Sequence, residues 1–346
     1  MIICAAAQPI YEYLSYPGGQ LGEKFVTINH NGFDIRMRAY CTGPPTFMQS
    51  GIVFDPMILI ESQLGASGHI HEEIQDYFSD QYTVCTYDRA GMGLSHQSGF
   101  TINLENIMQQ MVLTMEEIEI PIQLSNKQII CIGHALGGQL CQYYAENLPS
   151  IKSIVLLDSY PSQKIYNQLN LAKGLTKEES QSDIWDQVGR DRLMTLLTPL
   201  SIVTAVAFNQ YYYSDAPLYM YQFFWSYTTA KQQYAQLMFK QQDASTCNYQ
   251  CAMTPTPKNR INVPTLVISS KNPNEDCTMA GYSQNTESCV IYTKQRDALL
   301  LVQDEMADYT STWSKVEYCT GLCDHDFAYT RPDYVIETII RNLASL

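Results

Sequence analysis

Residues 127–140 read Lys-Gln-Ile-Ile-Cys-Ile-Gly-His-Ala-Leu-Gly-Gly-Gln-Leu. Ile129 to Ile132 is a continuous apolar run of strand type, and Leu136, Leu140 and Tyr144 then recur at helical spacing. Between them Gly133, Gly137 and Gly138 allow the backbone to turn tightly and a helix to lie close against it. A strand that breaks straight into a helix lifts the apex residue clear of its neighbours. Here the apex is Ala135.

On the N-terminal side, residues 24–29 and 33–41 alternate polar and apolar about His30-Asn31-Gly32, which predicts an antiparallel hairpin. Residues 42–55, with Gly43-Pro44-Pro45, read as a loop, and Met57 to Ile60 suits a strand covered on both faces. Ile70, Ile74 and Phe78 mark a helix over 69–79, Tyr82 to Tyr87 a strand, and Asn106 to Ile118 a helix. After the elbow helix, Ala135 to Asn147, comes a buried strand, Ile154 to Leu157.

The alternation stops at Asp158, and residues 160–262 show mainly helical patterns rich in Tyr, Phe, Met and Gln. A strand resumes at Pro264 to Ile268, followed by a helix from Gln295 to Tyr309, a strand from Lys315 to Cys319 and a final amphipathic helix from Pro332 to Leu343. The expected organisation is an N-terminal extension (1–22), a first core segment (23–159), a helical lid (160–262) and a second core segment (263–346). Strands alternating with helices imply an α/β fold whose central sheet is mostly parallel.

The 346 residues are 45% hydrophobic and 16% charged, enough for a sizeable core. A formal net charge of -14 repels phosphate backbones, so no nucleic acid partner is expected. No apolar run approaches the ~20 residues of a membrane span. The start, Met1 to Pro9, lacks the basic segment and the apolar length of a signal peptide.

Cys85, Cys131 and Cys141 fall in expected core elements, where a thiol packs as a small hydrophobe. Cys247, Cys251, Cys277, Cys289, Cys319 and Cys323 lie in polar, turn-rich stretches suited to disulfides. Around the two Cys-x-x-x-Cys pairs, zinc-ligand spacing with accompanying histidine ligands is not evident, so no metal and no other cofactor is expected. His69-Ile70-His71 reads as a solvated helix start, because i, i+2 spacing points two imidazoles apart.

Gly133-His134-Ala135-Leu136-Gly137-Gly138 resembles the nucleophile elbow of the α/β-hydrolase superfamily, with alanine where the serine of Gly-x-Ser-x-Gly would stand. Asp88-Arg89-Ala90-Gly91-Met92-Gly93-Leu94-Ser95 resembles the turn after that fold's fourth strand. With Ile60-Glu61-Ser62 and Leu156-Leu157-Asp158-Ser159, the chain is similar to a lid-bearing esterase and peptidase-like branch from about residue 18 onward.

The resemblance implies a histidine at His325 and an acid at Asp158 or Asp276. Asp158 is favoured because the loop at 270–278 lacks a tight Gly-x-x-Asp form. It also implies oxyanion donors at the backbone of Leu136 and of Gln63 or Leu64, although the branch has glycine where Gln63 stands.

Ala135 excludes acyl-enzyme chemistry at the elbow, since a methyl group cannot attack. Three roles follow: an accessory or structural subunit bound to other protein subunits, a serine hydrolase carrying a serine-to-alanine change, or a receptor holding a small apolar ligand in the retained pocket. The acidic chain has no Asn-x-Ser/Thr acceptor, which suits an organelle such as the mitochondrion.

Overall fold

The computed structural model describes residues 22–43, 56–98, 103–123, 128–159, 261–271 and 277–346, with breaks at 121, 279–282, 285, 320–322 and 324, and a few positions between 170 and 193. The expected lid, 160–262, thus lies almost wholly outside the described residues. In chain order the strands and helices are β1 (Glu23–His30), β2 (Phe33–Thr42), β3 (Met57–Glu61), α1 (Glu72–Ser79), β4 (Thr83–Asp88), α2 (Leu104–Glu117), β5 (Ile129–His134), α3 (Leu136–Asn147), β6 (Ile151–Leu157), β7 (Thr265–Ser269), α4 (Glu287–Ala307), β8 (Ser314–Tyr318), α5 (Phe327–Thr330) and α6 (Pro332–Asn342).

The chain divides into two compact units: Met1–Phe54, Leu64–Ile122 and Asp186–Asp243 form the first, and Asp55–Gln63, Gln123–Trp185 and Ala244–Leu346 the second. In the first, β1-β2-β4 pair antiparallel. Asn31 and Gly32 both take positive φ, 53° and 86°, as a two-residue hairpin turn requires. In the second, β3-β5-β6-β7-β8 pair parallel throughout. The described strand pairs are therefore mostly parallel. Every residue of β3, β5 and β7 is buried, the outcome expected of continuous apolar runs with both faces covered.

Three boundaries differ from expectation by more than two residues. The helix expected from Gln295 starts at Glu287, because the Thr286 side chain caps it by accepting from the Cys289 N–H; no residue before Leu300 is buried, so no apolar stripe announced it. β6 starts at Ile151, where a register irregularity at Ile129/Ile130 brings Ile151 opposite Ile129. The expected helix over 69–79 opens as a 3₁₀ turn, Gly68–His71. His69 and His71 are buried there, at 7% and 1% exposure, so this is no solvated helix start.

The turn is shaped by Asp88. Its buried carboxylate accepts from the Ser67 hydroxyl (2.6 Å) and the N–H groups of Gly68 (2.9 Å) and Leu94 (2.8 Å), and Arg38 lies 3.5 Å away. Arg38, itself fully buried, also pairs with Glu23. Burial pushes the Asp88 pKa up, but Arg38, His69, Ser67 and Leu94 together outweigh it and hold the carboxyl below its usual range. A Cβ on Gly93, at φ 43°, would collide with the same carboxylate.

Cysteine pairing corrects the expectation of free core thiols. Cys85 is bonded to Cys41, directly opposite it across β2 and β4, and Cys131 is bonded to Cys141. Cys277–Cys289 and Cys319–Cys323 are also paired. No helix among the described residues is long and apolar enough to cross a membrane.

Two outcomes follow for stability. Asp88→Ala leaves Arg38 with a single carboxylate and removes the acceptor shared by the Ser67 hydroxyl and the Gly68 and Leu94 N–H groups, so urea denaturation should show a loss of about 3–5 kcal/mol. Burial, and then the charge of Arg89, lowers the His71 pKa to about 3. A depressed base binds its proton only in the unfolded chain, so stability should fall by up to about 1.4 kcal/mol per pH unit from near pH 6.5 downward, until the folded value is reached. His71→Gln should flatten that limb in pH-dependent melts.

Candidate functional site

Ala135 joins β5 to α3 with φ 50° and ψ -111°. A residue carrying a Cβ pays on the order of 1–3 kcal/mol for such a conformation and keeps it only where its surroundings enforce it. The enforcement is visible. The Ala135 N–H donates to Leu157 O (3.0 Å), and the Ala135 carbonyl accepts from the Gly138 N–H (3.1 Å) and the Ser159 hydroxyl (2.6 Å).

The glycines are steric necessities. A Cβ on Gly133 would clash with the backbone of Gly137, one on Gly137 with the Glu61 carbonyl, and one on Gly138 with the Ser159 side chain. Leu136 opens α3, so its N–H is among those a helix leaves without an intrahelical acceptor. Glu61, at the end of β3, accepts a 2.9 Å hydrogen bond from the Tyr144 hydroxyl on α3.

Asp158 follows β6 at φ 42° and is fully buried. One carboxylate oxygen accepts from His325 Nδ1 at 2.7 Å; the other accepts from the Ser270 N–H (3.0 Å) and the Gln303 side-chain amide (2.7 Å). Burial raises its pKa, but the hydrogen bond and charge of His325, then Ser270 and Gln303, prevail and keep it low. An ionised acceptor at Nδ1 fixes that nitrogen of His325 as the protonated one.

His134, immediately before the apex, donates from Nε2 to the His325 carbonyl (2.7 Å), and the two rings lie 5.1 Å apart. The Gln63 amide reaches Asp326, next to His325, at 3.5 Å. Hydrogen bonds thus tie Ala135, Asp158, His325 and Gln63 to one another or to immediate neighbours within the second unit. Asp276 lies outside the described residues. Leu64 belongs to the first unit, at the start of its second segment, and is half-buried.

Among the described residues, four side chains that could stand in for a serine are committed elsewhere. Ser159 donates to Ala135 O. Ser95 donates to Asp88 O (2.6 Å) and accepts from the Arg38 N–H (2.9 Å). Cys131 and Cys141 are bonded to each other. Among the described residues no group of three or more His, Cys, Asp or Glu side chains is placed to hold a metal.

Sequence reasoning missed Gln303, Ser270 and the donor role of His134. Gln303 left a trace, as a polar residue flanked by Leu300, Val302 and Met306 on a buried stripe. Ser270 acts through its backbone and left none.

The elbow glycines can be tested directly. Gly137→Ala should destabilise the fold by several kcal/mol or prevent expression, because the clash is with backbone. Gly189, where an added Cβ meets nothing within 4 Å, is the control: alanine there should be neutral or stabilising by up to about 1 kcal/mol. Chemical denaturation of both variants makes the comparison.

The family described as alpha/beta hydrolase fold matches residues 56–276. Among solved structures, the chain is similar to a probable hydrolytic enzyme from Pseudomonas aeruginosa PAO1 (15% identity, TM-score 0.59, 93% of this chain and 94% of that one). It is also similar to MenH from S. aureus (14%, 0.56, 89% and 98%) and to an enol-lactonase from Burkholderia xenovorans LB400 (14%, 0.53, 93% and 100%). At such identities these likenesses establish architecture alone. No curated protein matches the sequence closely enough to count as a relative. With the family match spanning more than half of its length, the chain belongs to the α/β-hydrolase fold family.

Proposed function

We propose that this protein is a catalytically silent member of its family that serves as a structural or accessory subunit of a larger protein assembly. The observation that carries the reading is a methyl group at the strained apex of the elbow, where the chemistry of this fold needs an oxygen. Loss of the nucleophile from such a triad removes a factor on the order of 10⁶ in turnover, leaving roughly 10³–10⁴ over water from binding and oxyanion contacts. The commitment of Ser95, Ser159, Cys131 and Cys141 to structural bonds supports the same reading. So does Gln63, whose side chain stands where the resembling branch has glycine.

A second reading is favoured by one observation. Asp158 and His325 keep the hydrogen bond that orients a catalytic imidazole, and the elbow keeps its strain, as in a serine hydrolase whose serine alone has been changed. In such a site His325 would serve as general base, with the Leu136 and Gln63 N–H groups receiving the oxyanion.

A fluorophosphonate probe and the codon at position 135 of the source gene together separate the two. The protein as it stands should remain unlabelled; labelling of any residue at the elbow overturns catalytic silence. Ala135→Ser should take the label if the remaining frame is competent, and Ala135→Ser with His325→Ala should lose it. A silent Ala135→Ser sinks the second reading, as does an alanine codon at position 135 in the source gene. Native gel filtration and affinity capture address the assembly: a lone monomer with no partner at stoichiometric level overturns the accessory role.

A further inference from the structure

The elbow also carries a covalent bond that serine chemistry does not require. Cys131, on β5, and Cys141, on α3, are joined across the turn, so the bridged segment contains all of Gly133 to Gly138. Both cysteines are 0% exposed. The first unit holds a comparable bond, Cys41–Cys85 between β2 and β4, at 7% and 0% exposure.

In a reducing compartment, buried cysteines remain thiols and pack as hydrophobes. Disulfide formation proceeds by attack of a thiolate on an accessible disulfide sulfur. Once β5 and α3 are docked, an external disulfide cannot reach either sulfur of the elbow. We infer that Cys131 and Cys141 are oxidised while the chain is still folding, in an oxidising compartment served by a thiol–disulfide carrier, and that the resulting bond locks the elbow.

The chemistry balances. One cysteine thiolate attacks the carrier disulfide, forming a mixed disulfide and releasing one carrier thiolate. The second cysteine thiolate attacks the chain sulfur of that mixed disulfide and releases the other carrier thiolate. Two electrons and two protons pass to the carrier, which ends as a dithiol.

The lock has a specific target. Three hydrogen bonds hold Ala135 in the closed elbow, but each is lost whenever the turn opens. A covalent tie between the strand before the turn and the helix after it persists in the opened state and limits how far the chain can relax from positive φ. This role is independent of whether the site is silent or was silenced by a single substitution.

The first arm of the test uses protein from its natural source, quenched in acid, denatured and alkylated without reductant. Peptide mapping should find 131–141 and 41–85 linked, with alkylation only after reduction; alkylated Cys131 or Cys141 in the unreduced sample overturns the inference. The second arm follows backbone amide exchange in Cys131→Val/Cys141→Ala. The peptide spanning the elbow should exchange several-fold faster than in the parent while the β7 peptide keeps its rate, and unchanged exchange at the elbow overturns the lock. If the variant does not fold, the same comparison is made on parent protein reduced after folding in mild denaturant.

Discussion

One buried carboxylate organises the second unit. Asp158 sits at the end of β6 and gathers donors from three other parts of the chain: His325 ahead of α5, Ser270 after β7 and Gln303 on α4. An ion at that depth is tolerable only because its oxygens are satisfied by all three. Its position in turn requires β6 and β7 to be in register, which the Asp158 N–H bond to Ile268 O extends by one residue (2.8 Å). The next residue, Ser159, then falls where its hydroxyl can fasten the Ala135 carbonyl. The elbow and the Asp–His pair are therefore parts of one arrangement, and its integrity does not depend on an oxygen at position 135.

The first unit repeats the strategy with different groups. Asp88 stands at a strand end and gathers Ser67, Gly68, Leu94 and Arg38, and Gly93 is needed beside it because a side chain would strike the carboxylate. Both aspartates are kept ionised by partners that outweigh their burial. Satisfying loop N–H groups with a buried carboxylate fixes loop geometry more sharply than apolar packing does, because hydrogen bonds are directional.

Elements buried on both faces were the most legible in the sequence: β3, β5 and β7 are built on the unbroken apolar runs Met57–Ile60, Ile129–Ile132 and Leu266–Ile268. The amphipathic α6 was equally plain, with Pro332 at its first turn and Val335, Ile336 and Ile339 on the buried side. The start of α4 was hidden because a cap fixes it and no burial marks it. In the site, the elbow could be read because its glycines are sterically forced. Asp158 is favoured over Asp276 on the form of the 270–278 loop; the structure hydrogen-bonds Asp158 to His325, and Asp276 lies outside the described residues. The pairing of Cys41 with Cys85 and of Cys131 with Cys141 was masked because strand cysteines look like ordinary core residues until register is known.

The last strand of the parallel row, β8, bears on how a neighbouring protein can approach. Its residues are at most half-buried, and Lys315 pairs with Glu317 at 2.6 Å while also reaching Asn342 at 3.2 Å. Charged side chains along an outer strand discourage backbone pairing with a foreign strand, because docking would strip water from them. This border of the sheet is thus guarded against β-augmentation and against edge-to-edge self-association. A neighbour approaching along β8 would meet side chains before backbone, which favours recognition by surface shape and charge over generic strand addition.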